Sequence, residues 1–98
     1  MHKQKYYRPL PDNLVIRESE IEGLGLFAIE NIPMDTNLGV SHYKFNGKVL
    51  RTPLGGFYNH SENPNCKKIE YKDRYELITL RDIKPGEELT CNYTLYKI

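Results

Sequence analysis

Between Gly55 and Cys66 the chain reads GGFYNHSENPNC, bringing the amide of Asn59, the imidazole of His60, the hydroxyl of Ser61, the carboxylate of Glu62 and the thiol of Cys66 within a few residues. Such a stretch could be a glycosylation site, a metal site, a plain turn or half of a cofactor pocket. Asn59-His60-Ser61 fits the N-glycosylation pattern, as does Asn92-Tyr93-Thr94, but the N-terminus has no apolar signal region to bring either to that machinery. Zinc would need about four clustered ligands, whereas His2, His42, His60, Cys66 and Cys91 form no CxxC or HxxxH pair, so no metal is expected. A Cys–His nucleophile pair finds no local protease signature, and Cys91 reads as a small buried hydrophobe. Gly23-Leu24-Gly25 opens like a dinucleotide fingerprint, yet Ala28 and a β-type run follow it, so no helix N-terminus is there to hold a phosphate. Alone it is a tight bend where no Cβ fits.

The elements that must position these groups are short. A chain of 98 residues makes one domain, with residues 1–12 expected as an N-terminal arm and residues 13–98 as the folded unit. Glycines and prolines leave few windows for a helix, and β-type runs lie between them at 13–17, 25–29, 38–40, 68–71 and 75–80. Residues 72–74 read as a hairpin loop, and Pro85-Gly86 suits the centre of a type II turn, so the second half is expected to be a β-meander. The only helical scope is a turn or two near 54–58.

Composition removes several functional classes. With 14 basic and 13 acidic residues the net charge is +1, too little to drive nucleic-acid binding by counterion release. The basic, Tyr-bearing start MHKQKYYR is expected to be a solvated arm. No apolar run approaches the roughly 20 residues that span a bilayer, and two cysteines without a secretory signal are expected to stay reduced, which together predict a soluble, intracellular protein. Eight tyrosines against three phenylalanines put polar tips on most of the aromatic rings, which will need partners inside.

Three motifs in order carry a resemblance: Gly23-Leu24-Gly25-Leu26-Phe27-Ala28, then Phe57-Tyr58-Asn59-His60-Ser61 with Pro64-Asn65, then Asp82-Ile83-Lys84-Pro85-Gly86-Glu87-Glu88-Leu89-Thr90 followed by Tyr93. In this order and spacing the chain closely resembles the SET-domain protein lysine methyltransferases, over roughly residues 13–96. The resemblance implies a mostly β, β-clip-like fold of small curved sheets, in which the Asn59 segment and the C-terminal motif thread together as a pseudoknot, an exception to the usual absence of threading. It implies S-adenosyl-L-methionine as cofactor, held by Gly23, Leu24, Gly25, Asn59 and His60, with Tyr93 as the catalytic tyrosine beside the transferring methyl group and Tyr96 as an aromatic lid. A lysine-containing protein or peptide would enter from the opposite face through a channel for which Tyr43, Tyr58 and Cys91 are candidates. No nucleic acid or membrane partner is expected.

The departures from the family pattern also carry expectations. Gly56 stands where many members have Arg, Glu62 where Cys often follows the Ser, and Cys91 where Phe or Tyr is common, which leaves room for multiple methylation. The stretch from Gly39 to Leu54 is too short for the family's inserted helical segment, and no Cys-rich tail follows the last motif. The active site is therefore expected to be open, with a second copy of the chain completing the substrate groove as a homodimer. Glu18, Glu20 and Glu22 could steer a basic peptide or simply form a solvated face. The glutamates at 87 and 88 read as a solvated pair beside the turn, with one tied to backbone amides. Against the enzyme stand two alternatives: a catalytically weak SET-fold module that binds cofactor or partner without turnover, and a structural module that binds no cofactor.

Overall fold

A computed structural model describes residues 10–92 together with the backbone of a short strand at Tyr96–Lys97. Strands β1 (Leu14–Glu18) and β2 (Leu24–Ala28) pair antiparallel, Leu14 opposite Ala28 and Glu18 opposite Leu24, as a two-stranded sheet. Strand β3 (Asn37–Phe45) turns back into β4 (Lys48–Arg51) through Asn46 and Gly47, whose φ angles of 51° and 74° are both left-handed. That is the geometry of a two-residue type I′ hairpin, which Asn-Gly favours because neither position tolerates a branched side chain. The expected strand at 38–40 is thus only the start of a nine-residue strand.

A single helical turn, α1 (Pro53–Phe57), lies where helical scope was expected. Thr52 caps it by accepting from Gly55 N–H at 3.3 Å, and its hydroxyl donates to the Val40 carbonyl at 2.7 Å, tying the turn to β3. Strand β5 (Asn59–His60) follows, then β6 (Cys66–Glu70), β7 (Arg74–Thr79), β8 (Thr90–Cys91) and β9 (Tyr96–Lys97). The hairpin at 72–74 is present between β6 and β7. At Pro85-Gly86 the chain also turns as predicted, with Gly86 at φ 87° and Glu87 N–H donating to the Lys84 carbonyl at 3.0 Å.

The meander does not continue beyond β7, which corrects that expectation. The free edge of β7 is taken by β3, and the large sheet runs β4-β3-β7-β6-β8-β5, with β9 pairing β6. After β7 the chain instead lies along β2: Gly86 N–H donates to Ala28 O at 2.7 Å, Ala28 N–H to Glu87 O at 2.9 Å, and Leu89 N–H to Leu26 O at 2.8 Å. It then inserts β8 in parallel between β5 and β6, two strands consecutive in sequence. Strand β8 therefore lies inside the connection 61–65, the interlocked arrangement that the resemblance implies.

The core lies between the two sheets and α1. Leu26, Ile32, Leu77, Ile83 and Leu89 are almost entirely buried, and Leu14, Leu38 and Leu54 join them. In β7, Tyr75, Leu77 and Thr79 point inward and alternate with half-buried residues, as a strand with one solvated face requires. Each fully buried Leu or Ile contributes about 1.5–3 kcal/mol, and together they fix the register that sets the site. Among the described residues no helix is long and apolar enough to cross a membrane.

Gly55 is where packing is tightest, since a Cβ there would stand 2.0 Å from the Ser41 carbonyl oxygen, whereas one on Gly56 would meet nothing within 4 Å. Because the obstacle is backbone, Gly55→Ala is expected to cost about 1–3 kcal/mol. Gly56→Ala should be neutral or stabilising by up to about 1 kcal/mol. Urea denaturation of both variants checks this, and equal effects would show that α1 does not pack so closely on β3.

Candidate active site

The bend between β1 and β2 is built by Ser19 and Gly23. Ser19 N–H donates to the Gly23 carbonyl at 2.7 Å, and Gly23 takes φ 50°, a conformation open chiefly to glycine. The Ser19 hydroxyl accepts from Ile21 N–H at 2.9 Å and Glu22 N–H at 3.3 Å, which orients its own proton toward the Glu88 carboxylate, whose oxygens lie 2.9 and 2.8 Å away. The side-chain amide of Asn59 reaches the same point. It donates to Glu88 Oε2 at 2.7 Å, Ser19 Oγ at 3.0 Å and the Glu22 carbonyl at 3.1 Å.

Gly25 leaves the room for this junction. A Cβ on it would stand 2.3 Å from Glu88 Oε2 and 3.2 Å from Ser19 Cβ. The close approach that Gly25 permits is therefore to the Glu88 carboxylate. Leu24 between the glycines is half exposed. All three sequence motifs meet here, and the residue that joins them, Glu88, is one that sequence reasoning placed in solvent. Glu87 fits that expectation better: it accepts from Lys84 N–H at 3.0 Å and pairs with Arg81 at 3.2 Å. Nothing in the pattern Glu-Glu distinguishes the two; only the pairing of Phe27 with Glu88 across β2 turns the second one inward.

Asn65 holds the two threaded segments together. Buried at 2% exposure, it accepts from Thr90 N–H at 2.8 Å through Oδ1 and donates to the Glu88 carbonyl at 2.8 Å through Nδ2. A buried polar side chain satisfied on both sides stabilises, whereas its loss would strand two backbone groups at about 1–3 kcal/mol each.

The remaining candidates are divided. His60 Nε2 lies 3.0 Å from the Glu62 carboxylate, which engages its ring with the following turn. Tyr58, buried at the end of α1, has the Lys68 ammonium 5.7 Å from its ring centroid. Cys91 is buried one strand from Cys66; burial pushes the Cys91 thiol up to about 11 and the Cys66 thiol up to about 12, so neither is a thiolate nucleophile at neutral pH. Lys68 bears on Cys91 electrostatically, which brings Tyr58, Lys68 and Cys91 into one neighbourhood. Tyr43 does not join them: it is half exposed opposite Arg74, beside but not on the face that buries His42. The expected catalytic Tyr93 lies outside the described residues, and of Tyr96 only the strand backbone, paired with Ile69, is described. Among the described residues no three His, Cys, Asp or Glu side chains cluster as metal ligands would.

With this geometry in place, comparison with known proteins gives a consistent answer. The family model of the SET domain matches residues 39–94. The chain is 31% identical over 106 residues to a histone-lysine N-methyltransferase of Schizosaccharomyces pombe specific for H3 lysine-37, covering 82% of this chain and 72% of that protein. The chain belongs to the SET-domain family of protein lysine methyltransferases. Its class of activity is lysine methyl transfer. An H3 lysine-36 specific enzyme of Mycosarcoma maydis is 28% identical over 94% of the chain, which spans only 13% of that longer protein. Among solved structures, a Plasmodium falciparum protein assigned as a histone methyltransferase superposes with a TM-score of 0.71 at 20% identity, covering 87% of this chain and 96% of its own. A chain of a humanized mutant of the Chaetomium thermophilum Polycomb Repressive Complex 2 superposes with a TM-score of 0.65 at 21% identity, over 82% of this chain and 14% of its own. These likenesses establish the SET fold. The family match begins at Gly39, so the GLG bend lies before it and rests on the geometry above.

His42 gives the SET domain a measurable acid response. Burial first, then the positive charges of Lys68 and Arg51, push its imidazole down from 6.5 to about 4. The native ring is neutral while the unfolded chain protonates below about 6.5, so the stability this group contributes is complete above that pH and is lost as pH falls toward 4. Denaturation from pH 7 to 4 should therefore show a loss of stability that His42→Gln reduces. An unchanged pH slope in that variant would assign the acid response to other groups.

Proposed function

We propose that this SET domain transfers methyl groups from S-adenosyl-L-methionine to a lysine of a protein substrate, with Tyr93 as the catalytic tyrosine. The observation that carries the proposal is the convergence of the GLG bend, Asn59 and the Glu88 segment on one junction. The donor set suits the cofactor. The Glu88 carboxylate and Asn59 Oδ1, which no donor reaches among the described residues, match an α-ammonium, and the open approach at Gly23 suits a group held by backbone. When bound, the cofactor supplies an electrophilic methyl group whose bond to sulfur breaks as the bond to the lysine nitrogen forms.

The chain's own residues have the remaining tasks. A lysine side chain, with an ordinary pKa of about 10.4, must arrive neutral, and a buried approach beside Tyr58 and Cys91 disfavours its charged form. The Tyr93 hydroxyl would orient the amine, and preorganised oxygens would take weak CH···O contacts from the methyl group. Because the relatives named above act on H3 lysines, histone H3 is the first substrate to try.

A homodimer is part of the proposal. The β3–β4 hairpin occupies the stretch too short for the family's insert, and it carries Tyr43, Phe45, Val49 and Leu50, each at least half exposed. A second subunit covering that hairpin would close the groove. The alternative, binding without turnover, draws support from Lys68 and Arg51, whose positive charges beside Tyr58 oppose entry of a protonated lysine.

Calorimetric titration with S-adenosylmethionine and S-adenosylhomocysteine tests the pocket. One-site binding is expected, weakened at least tenfold, about 1.4 kcal/mol, in folded Asn59→Ala. With H3 as acceptor, Tyr93→Phe should keep binding and lose transfer at least a hundredfold. Binding with no transfer in the wild type would favour the alternative, and no saturation at millimolar cofactor would remove the enzyme reading.

A further inference from the structure

The approach beside Tyr58, through which an acceptor lysine would come, is a cavity of about 250 Å³, and part of its wall is itself a lysine. Lys68 lies on β6, the strand that pairs with β8 through Cys66 and Cys91, and its charge bears on the Cys91 thiol. Of the residues that line the cavity, only Lys68 carries an alkylamine. Arg51 is exposed, and its guanidinium stays protonated, so it has no lone pair to offer. Gly55 and Gly56 put no side chain into the space, which leaves room around the amine.

Tyr58 and Tyr75 hold the Lys68 ammonium in place. It stands 5.7 Å from the first ring centroid and 5.8 Å from the second, within the roughly 6 Å at which an aromatic face attracts a cation. Aromatic faces of this kind also accept a methylated ammonium, because the charge is kept and the added methyl groups lie against the rings. Among the described residues Lys68 pairs with no carboxylate, since Glu70 is taken by Lys44 and Glu76 by Arg74. An ion pair would hold the proton on the nitrogen, and here none does. Burial pushes the ammonium below the ordinary lysine range, toward the neutral form that a methyl acceptor needs.

We propose that Lys68 is itself a methyl acceptor of this SET domain, modified in cis from within the acceptor cavity. The proposal rests on the methyl-transfer reading above and adds to it a substrate on the chain itself. Neutral Lys68 Nζ bonds to the methyl carbon of S-adenosyl-L-methionine as the carbon–sulfur bond breaks. The electron pair of that bond leaves with S-adenosylhomocysteine, and the extra proton on nitrogen passes to solvent. Lys68 and a lysine from another protein then compete for one cavity.

The first test needs no cofactor. The full chain is reductively methylated with isotope-labelled formaldehyde, and the Lys68 methyl NMR signal is assigned by its absence from Lys68→Arg. Ring currents of Tyr58 and Tyr75 should displace that signal from those of Lys48 and Lys72, which are exposed, and it should titrate at lower pH. A Lys68 signal that coincides with theirs, or a Lys68 that takes no methyl, would overturn the proposal. The second test incubates the wild type with methyl-labelled S-adenosyl-L-methionine and maps the label by peptide mass spectrometry, which stands even if Lys68→Arg unfolds. Label at Lys68 is expected at least tenfold above that at Lys48 or Lys72, at a rate that dilution of the chain leaves unchanged and Tyr93→Phe removes. A rate that falls on dilution, or label spread evenly over the exposed lysines, would count against it. Transfer to H3 with none to Lys68 would overturn the proposal and leave the methyl-transfer reading standing, whereas transfer to neither would remove both.

Discussion

The structure depends on one carboxylate. Glu88 sits in the space that the missing side chain of Gly25 leaves, and it is held there by the Ser19 hydroxyl and the Asn59 amide. Three stretches far apart in sequence must therefore be in register at once: the bend after β1, the strand after α1 and the segment that runs along β2. A charged group kept part-buried is tolerable because it accepts charge-assisted hydrogen bonds from Ser19 and Asn59. The interlocked strand order serves this end, since the chain runs from Glu88 directly into β8 between β5 and β6, where Asn65 fastens it.

The two sides of the Asn59 segment differ in electrostatic character. On one side lie Glu88 and the amide of Asn59, suited to a cation such as an α-ammonium. Beside Tyr58, the residue immediately before Asn59, lie Lys68 and Arg51, with His42 kept neutral. A single turn of helix lines the second environment, and it can do so because Gly55 lets its backbone press against β3.

Much of this was legible in the sequence. The strands near 13–17, 25–29 and 75–80, the turn at Pro85-Gly86 and the helical turn after Thr52 follow from alternation and from glycine and proline placement, and the structure has each of them. The β3–β4 hairpin was legible but missed: Asn46-Gly47 between the runs Tyr43-Lys44-Phe45 and Lys48-Val49-Leu50 is a strong hairpin signal, overlooked because only 38–40 looked strand-like. The partner of β8 was not legible, since a two-residue strand carries no pattern and its place depends on which sheet edges remain open. Glu88 was hidden for a related reason. A glutamate in a polar turn looks solvated unless the register of its neighbour across β2 is known. Gly25 announced a close approach correctly, but only the fold shows that the approaching group is the chain's own carboxylate.

A double-mutant cycle tests this account most directly. Asn59→Ala, Glu88→Ala and the double variant would each be titrated with S-adenosylhomocysteine after their folding is confirmed. If the junction acts as one unit, the double variant should lose little more affinity than the worse single variant, a coupling of at least tenfold, or about 1.4 kcal/mol. Losses that simply add would contradict the account, because Asn59 and Glu88 would then act on the ligand independently.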